Sequence, residues 1–248
     1  MKLRSLLVVG TFLCVLALGS CGKQGAVKWE DPVVAQAVGD SLGIPYQEIG
    51  PEDLEKIEQI VFVGNRCYLD EEVRVARRVL PEGGYGYLPG WASRSELGNS
   101  PGALRSLADF AHFPNLRELE LYQMSFDRLE GVEGLQKCEK LQKLTLAANA
   151  NLENLEGLSS LGQLTALAVF SVPILDFSGL SKMKSLTFLD LEDVPVESLD
   201  FLTELVGLKT FYADQVPEVD ADVLKELPGL EQYYLETVSG TVVTNLEP

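Results

Sequence analysis

The sequence predicts an α/β solenoid, in which the chain winds into stacked coils with one β-strand and one tight return each. Apolar residues recur in one pattern along most of the chain, and that pattern fits neither a single helix nor a single strand. The clearest copy begins with Leu186, Leu189 and Leu191 and ends at Leu208. Its first part alternates as a strand does, and its second part has an apolar residue at every third position, which suits a 3₁₀-like turn.

The same pattern continues in phase on both sides of this copy. About seven copies share it, and each opens its strand with two inward residues. These pairs are Ile60 and Phe62, Leu119 and Leu121, Leu144 and Leu146, Leu167 and Val169, Leu189 and Leu191, Phe211 and Ala213, and Tyr233 and Leu235. The spacing predicts a leucine-rich-repeat solenoid over residues 57–238, with a parallel β-sheet on the concave face and 3₁₀-like or irregular returns on the convex face.

The composition limits the partners. Of 248 residues, 46% are apolar, which suits a folded chain. The chain has 37 acidic side chains and only 20 basic ones. Such an acidic protein repels phosphate backbones and anionic lipid surfaces, so nucleic-acid binding is not expected.

The N-terminus has the form of an export signal. Lys2 and Arg4 precede the apolar stretch 6–18, which is too short to span a bilayer comfortably, and Leu18-Gly19-Ser20-Cys21 follows. The small residues before Cys21 resemble the lipobox of bacterial lipoproteins. That resemblance implies cleavage after residues 1–20, lipidation of Cys21 and membrane attachment through the lipid alone; the alternative is an ordinary secretory signal. Residues 21–26 would be a linker.

A helical cap is expected over residues 27–56. Asp31 is a good N-cap, Pro32 suits the first helical position, and Gly43 suits the helix end. A second short helix begins at Pro51. A cap is physically reasonable because a solenoid's first coil would otherwise expose its apolar end. Together with the coils, this arrangement resembles internalin-like bacterial proteins over residues 27–238, which implies adhesion or recognition without naming a target.

The repeat is interrupted by an insert at residues 66–103. A helix is predicted from Asp70 to Leu80, followed by an irregular, aromatic stretch from Tyr85 to Trp91. Most of the arginines lie in or beside this insert, which is therefore either a binding element or a solvated decoration or second cap. The C-terminal tail, 239–248, contains no strong cap: Val242 and Val243 cover the last coil, or that end stays open.

The candidate binding residues are those that alternate with the inward residues of each strand and face the concave side. Large exposed aromatic rings beside carboxylates are common on recognition surfaces, although scattered exposure would also account for them. The predicted partner-binding residues are Tyr122, Phe170, Phe188, Asp190, Glu192, Tyr212, Asp214, Tyr234 and Glu236. Their carboxylates favour a basic partner.

Leucine-rich repeats often place an asparagine at the ninth position of the coil, where its amide bonds neighbouring backbone. Here only Asn65 and Asn149 do so, and Met124 or valine stands elsewhere. The other coils must satisfy their backbone groups differently. Cys67 and Cys138 are at inward positions and are expected to be buried free thiols.

No catalytic, metal or cofactor site is predicted. His112, the only histidine, lies at an outward position and is expected to be solvated. No nucleophile motif, glycine-rich phosphate loop or complete calcium loop occurs. The sequence therefore favours a non-enzymatic, lipid-anchored protein of the bacterial surface or envelope that binds another protein through its concave face. The alternative is a glycan-binding surface lipoprotein.

Overall fold

The structure is a computed structural model that describes residues 25–69, 77–79, 85–87, 103–125 and 129–246. The predicted signal peptide and the lipidation site Cys21 lie outside these residues. The described strands are β1 Gln59–Val63, β2 Arg66–Leu69, β3 Arg77–Val79, β4 Tyr85–Tyr87, β5 Glu118–Tyr122, β6 Lys143–Ala147, β7 Ala166–Phe170, β8 Phe188–Glu192, β9 Thr210–Val216, β10 Gln232–Thr237 and β11 Val242–Thr244.

The chain forms the predicted leucine-rich-repeat solenoid. Nine strands make one sheet in the order β11-β10-β9-β8-β7-β6-β5-β1-β2, and its seven inner strands are parallel. The parallel strands β1, β5, β6, β7, β8 and β9 pair in this order at equivalent repeat positions. Ile60, Leu119 and Leu144, for example, lie in one row. The repeat phase read from the sequence is therefore the register of the sheet.

The convex side consists of short returns. Four of the described returns are 3₁₀ turns, at Ala108–His112, Leu158–Ser160, Ser178–Lys182 and Asp200–Glu204. Two other returns are short α-helices, α3 Val132–Gln136 and α4 Val223–Glu226. The core lies between the sheet and these returns: Leu189 and Leu191 are 0% exposed, and Leu199 is 1% exposed. Each such buried leucine stabilises the fold by roughly 1.5–3 kcal/mol.

The N-terminal cap contains the helices α1 Pro32–Leu42 and α2 Pro51–Leu54. As predicted, Asp31 caps α1: its carboxylate accepts a hydrogen bond from the Val33 backbone N–H at 2.8 Å. Gly43 ends α1 with a φ of 67°, a left-handed conformation that costs glycine little. The buried face of α1 carries Val34 and Val38, which join the solenoid core.

The first strand turns back on itself. β2 pairs antiparallel with β1, and Val63 and Arg66 flank a two-residue loop of Gly64 and Asn65. The insert predicted at residues 66–103 therefore starts with a strand, because residues 66–69 extend the edge of the sheet. Gly-Asn between two apolar runs is a known hairpin signal, and Gly64 supplies the required positive φ of 59°.

The predicted helix from Asp70 to Leu80 is wrong where it can be compared. Arg77–Val79 forms β3, which pairs antiparallel with β4 in a separate two-stranded sheet. A segment as short as Arg77-Arg78-Val79 is compatible with a strand as well as with a helix, since helix and strand cannot be told apart by periodicity over so few residues. The rest of the predicted helix and most of the arginine-rich insert lie outside the described residues.

The C-terminal end of the sheet is covered. β11 pairs antiparallel with β10, with Val243 opposite Leu235, so of the two alternatives the structure shows coverage of the last coil by Val242 and Val243. Val238 was predicted to point inward but is 65% exposed. Its position follows from the tight reversal at Gly240, where the chain leaves the repeat to form the closing hairpin.

Coils with and without the ninth-position asparagine have a left-handed residue whose backbone N–H bonds the next coil. One such residue occurs near the end of each strand from β5 to β9: Gln123, Ala148, Ser171, Asp193 and Gln215 have φ between 49° and 58°. The N–H groups of the first four donate to carbonyls of the next coil at 2.8–2.9 Å. Asn149 also acts as predicted, since its side chain accepts from the Met124 N–H at 2.7 Å and donates to the Leu121 carbonyl at 3.2 Å.

Candidate binding face

The concave face consists of the outward residues of the seven parallel strands. In its central row, Thr145, Ala168, Asp190, Tyr212 and Tyr234 lie side by side. The next row brings Tyr122, Ala147, Phe170, Glu192 and Asp214 together. The register shifts between Leu235 and Thr237, so Glu236 alone departs from regular pairing. The predicted binding residues thus share one face, but whether they bind a partner remains a prediction.

The predicted exposure of the aromatic residues is wrong for two of them. Phe170 is 6% exposed and Tyr212 is 3% exposed, whereas Phe188 and Tyr234 are half-buried. Neighbouring strands lie only ~4.8 Å apart, so large side chains in adjacent rows cover one another. The Phe188 and Tyr212 rings, for example, have centroids 5.9 Å apart. Phe188 is therefore the more accessible ring of this pair.

The face has an apolar half at its N-terminal end. Val61 and Val63 form a cluster with Tyr68 and Tyr122 that is separate from the solenoid core. Ala147, Ala168 and Phe170 form a second cluster, which also contacts Tyr122. Apolar side chains on the outer face of a sheet are not needed for the inner core, which is complete without them.

The C-terminal half is acidic. Glu192 and Asp214 are paired on adjacent strands, and Asp190 lies two residues before Glu192 in β8. Burial raises the pKa of Asp190 well above its usual value, and the negative charges of Glu192 and Asp214 raise that pKa further. Asp190 is 4% exposed and Glu192 is 8% exposed, so the acidic half is more enclosed than the sequence predicted.

Tyrosine–glutamate pairs occur on the face at both ends of the sheet. The Tyr122 hydroxyl donates to the Glu120 carboxylate at 2.7 Å, and the Tyr234 hydroxyl donates to Glu236 in the same way. Glu120 is 1% exposed and was not among the predicted site residues. Its place in the central row was readable from the repeat phase, but its burial was not.

A second buried carboxylate that the sequence did not single out joins the cap to the solenoid. Asp109 is 1% exposed, and its two oxygens accept hydrogen bonds from the Glu30 N–H at 2.8 Å and the Asp31 N–H at 2.7 Å. His112 is next to it: its Nε2 lies 3.0 Å from the Lys28 carbonyl and its ring contacts Trp29. The expectation of a solvated His112 holds only in part, since the side chain is 32% exposed and its other side packs against the cap.

The two cysteines of the solenoid are buried free thiols. Burial raises the pKa of Cys138 to about 12, and it raises that of Cys67 further. Because only the thiolate is a good nucleophile, these groups are poor candidates for covalent chemistry.

The described residues contain neither a candidate metal site nor a candidate membrane-spanning helix. No group of three or more His, Cys, Asp or Glu side chains there has an arrangement that could hold a metal ion. In the same part of the chain, no helix is both long and apolar enough to cross a membrane.

Fold and face together define a leucine-rich-repeat solenoid, and repeat proteins commonly bind their partners on extended concave surfaces of this kind. Among solved structures, the chain is similar to internalin C2 from Listeria monocytogenes, with 16% identity, a TM-score of 0.43 and coverage of 83% of this chain and 93% of that one. It is also similar to an internalin F from the same organism (18% identity, TM-score 0.40, coverage 84% and 68%). A leucine-rich-repeat protein from Leptospira interrogans has 20% identity, a TM-score of 0.43 and coverage of 54% and 36%.

These likenesses concern the course of the chain and assign no partner. No protein-family model matches the sequence, and no curated protein matches it.

Proposed function

We propose that this protein is an exported, lipid-anchored bacterial surface protein that recognises another protein through its concave face. The observation that carries the proposal is the division of one continuous, in-register sheet face into an apolar half around Tyr122 and Phe170 and an acidic half around Asp190, Glu192 and Asp214. Neither half serves the solenoid core, and adjacent apolar and charged areas are what a specific protein interface requires.

The size of the face supports a protein partner that also contacts its edges. Seven strands at ~4.8 Å spacing span about 29 Å, and five residues at ~3.3 Å span about 16 Å. The resulting area of roughly 500 Å² is smaller than the ~800 Å² that each partner contributes to a standard interface. We therefore expect the loops that follow the strands to flank the bound partner.

The negative charge of the protein favours a basic partner. The whole chain has a formal net charge of −17, and the acidic half of the face concentrates carboxylates on adjacent strands. A positively charged surface would be attracted at long range, with a strength that falls as salt screens the field.

The interaction can be tested by affinity capture with the full chain. Wild type, Phe188→Ala on the face and Val206→Ala on the convex side would be compared for capture from bacterial surface and host-cell extracts. Val206 is a suitable control because it is an apolar residue that is 74% exposed. We expect one protein to be retained by wild type and Val206→Ala and to be lost with Phe188→Ala. Equal retention by all three would contradict the proposal, and binding on a glycan array with no captured protein would favour the glycan alternative.

The lipid anchor is supported by the Leu18-Gly19-Ser20-Cys21 motif alone and needs its own test. Cys21→Ser should release the protein from the membrane fraction and abolish labelling with a fatty-acid analogue in a bacterial host. Because a lipid anchor adds ~0.8 kcal/mol for each buried methylene, its loss should be evident in simple fractionation. Unchanged membrane attachment of Cys21→Ser would contradict the anchor.

A further inference from the structure

Asp190 is an unusual residue for a solenoid face. It lies in the central row near the middle of β8, it is only 4% exposed, and its Oδ2 has no hydrogen-bond partner, which is rare for a buried polar atom. Its two neighbours in the row, Ala168 and Tyr212, are also buried. An apolar residue of similar size would fill this position without the free-energy cost of burying an unpaired carboxyl oxygen. We therefore expect the carboxyl group of Asp190 to bind a ligand.

The groups around Asp190 are acidic and aromatic. Burial, Glu192 and Asp214 all raise the pKa of Asp190, burial most strongly. The Phe188 and Tyr212 rings contact each other beside this carboxyl group at 57° between their planes. Carboxylates combined with the face of an aromatic ring form a favourable environment for an organic cation.

Resting on the proposed function, we propose that Asp190 is the point on the concave face where a guanidinium or ammonium group from a protruding arginine or lysine of the partner protein is bound. Asp190 would accept the central hydrogen bond through Oδ2. Glu192 and Asp214 would add charge on one side, and Phe188 and Tyr212 would flank the aliphatic stem of the cationic side chain.

An arginine fits this arrangement better than a lysine. Its planar guanidinium donates several hydrogen bonds in a fixed geometry, stacks on aromatic rings and loses less hydration than an ammonium group. Phe188 is the half-buried side chain of the ring pair, so the cation has to reach Asp190 past it. Side-chain rearrangements of this kind are common when protein partners bind.

Binding of the cation should also displace a proton. Burial and the two neighbouring carboxylates keep Asp190 protonated to a higher pH than an ordinary aspartate. When the cation arrives, the carboxyl group releases its proton to solvent and becomes the anionic partner. The affinity should therefore rise with pH over the range in which free Asp190 is protonated, and this dependence should disappear when residue 190 cannot ionise.

The test uses two short probes with the full chain. Acetyl-Gly-Arg-Gly-amide carries the cation, and the same peptide with citrulline in place of arginine has the same shape without charge. Binding is followed by NMR through the carboxyl carbon of Asp190, which reports protonation directly, at low salt from pH 4 to pH 8. We expect the arginine probe to bind at least tenfold more tightly than the citrulline probe and to lower the pH at which Asp190 titrates.

Matched variants identify the residue responsible. Asp190→Asn removes the ionisable group while keeping its shape, and Asp193→Asn removes the same charge at an exposed position three residues further on. The tenfold preference should vanish in Asp190→Asn and persist in Asp193→Asn. An equal affinity for both probes in wild type, or a preference that survives in Asp190→Asn, would overturn the inference.

The outcome is separable from that of the proposed function. If Phe188→Ala abolishes capture of the protein partner but Asp190→Asn leaves both capture and probe preference unchanged, the face binds a protein without using Asp190 in this way. If Phe188→Ala leaves capture intact, the proposed function itself is wrong, whatever the probes show.

Discussion

Replacing Asp109 should detach the helical cap from the solenoid. The two oxygens of Asp109 accept backbone hydrogen bonds from Glu30 at 2.8 Å and Asp31 at 2.7 Å, which lie 79 and 78 positions earlier in the chain, and the side chain is 1% exposed. Hydrogen bonds to a charged group contribute about 1.5–3 kcal/mol each, so Asp109→Ala should lower the free energy of unfolding by about 3–5 kcal/mol. That is a large part of the 5–15 kcal/mol typical of a folded domain.

The assay is urea unfolding monitored by circular dichroism, combined with hydrogen exchange of the backbone amides. If the cap detaches before the coils unfold, the amides of α1 should exchange faster than those of β8. Asp200→Ala is a suitable control because Asp200 is exposed at a comparable 3₁₀ turn, and surface substitutions usually change stability by less than about 0.5 kcal/mol. A loss below about 1 kcal/mol in Asp109→Ala, with normal protection of α1, would refute the reasoning.

Three further predictions concern single positions. Asp190→Asn should stabilise the protein at neutral pH: folding raises the pKa of Asp190, so the wild type loses stability as the pH rises from 3.8 through the folded pKa. The gain in melting temperature should be absent below pH 3.8, grow as the pH rises to the folded pKa, and stay constant above it. A gain that is independent of pH would contradict this. Gly134→Ala should be strongly destabilising in thermal unfolding, because a Cβ there would lie 2.3 Å from the Leu107 carbonyl oxygen, and Gly162→Ala, where the Cβ meets open space, is its control. Asn149→Ala should cost about 2 kcal/mol in urea unfolding, since it leaves the buried Met124 N–H without its acceptor; a loss no larger than that of an exposed substitution would argue against the asparagine bridge.

The repeat phase was predictable because it depends on local spacing. Leu189 and Leu191 alternate with Asp190 in a strand, and the same spacing recurs in each coil, so the row that joins Asp190 to Ala168 and Tyr212 follows directly. The cap of α1 was predictable for a similar reason, because Asp31 and Pro32 act within one turn of helix.

The secondary structure was harder to predict where the chain leaves the repeat. Gly64-Asn65 has the residues of a hairpin turn, and the structure forms the β1–β2 hairpin there. The segment Arg77–Val79 is too short for its sequence to discriminate between helix and strand. At the C-terminus, coverage of the last coil by β11 was one of two alternatives, and the pairing that decides between them is formed only at the folded sheet edge.

The sequence by itself determined the solenoid, its register and the list of residues on the concave face, because each of these follows from apolar spacing within a few positions. Only the tertiary structure decided how accessible those residues are. The burial of Phe170, Tyr212 and Asp190, and the role of Asp109 in holding the cap, depend on side chains brought together from distant coils. Such contacts join residues roughly 20 to 80 positions apart, and local spacing contains no information about how tightly they pack.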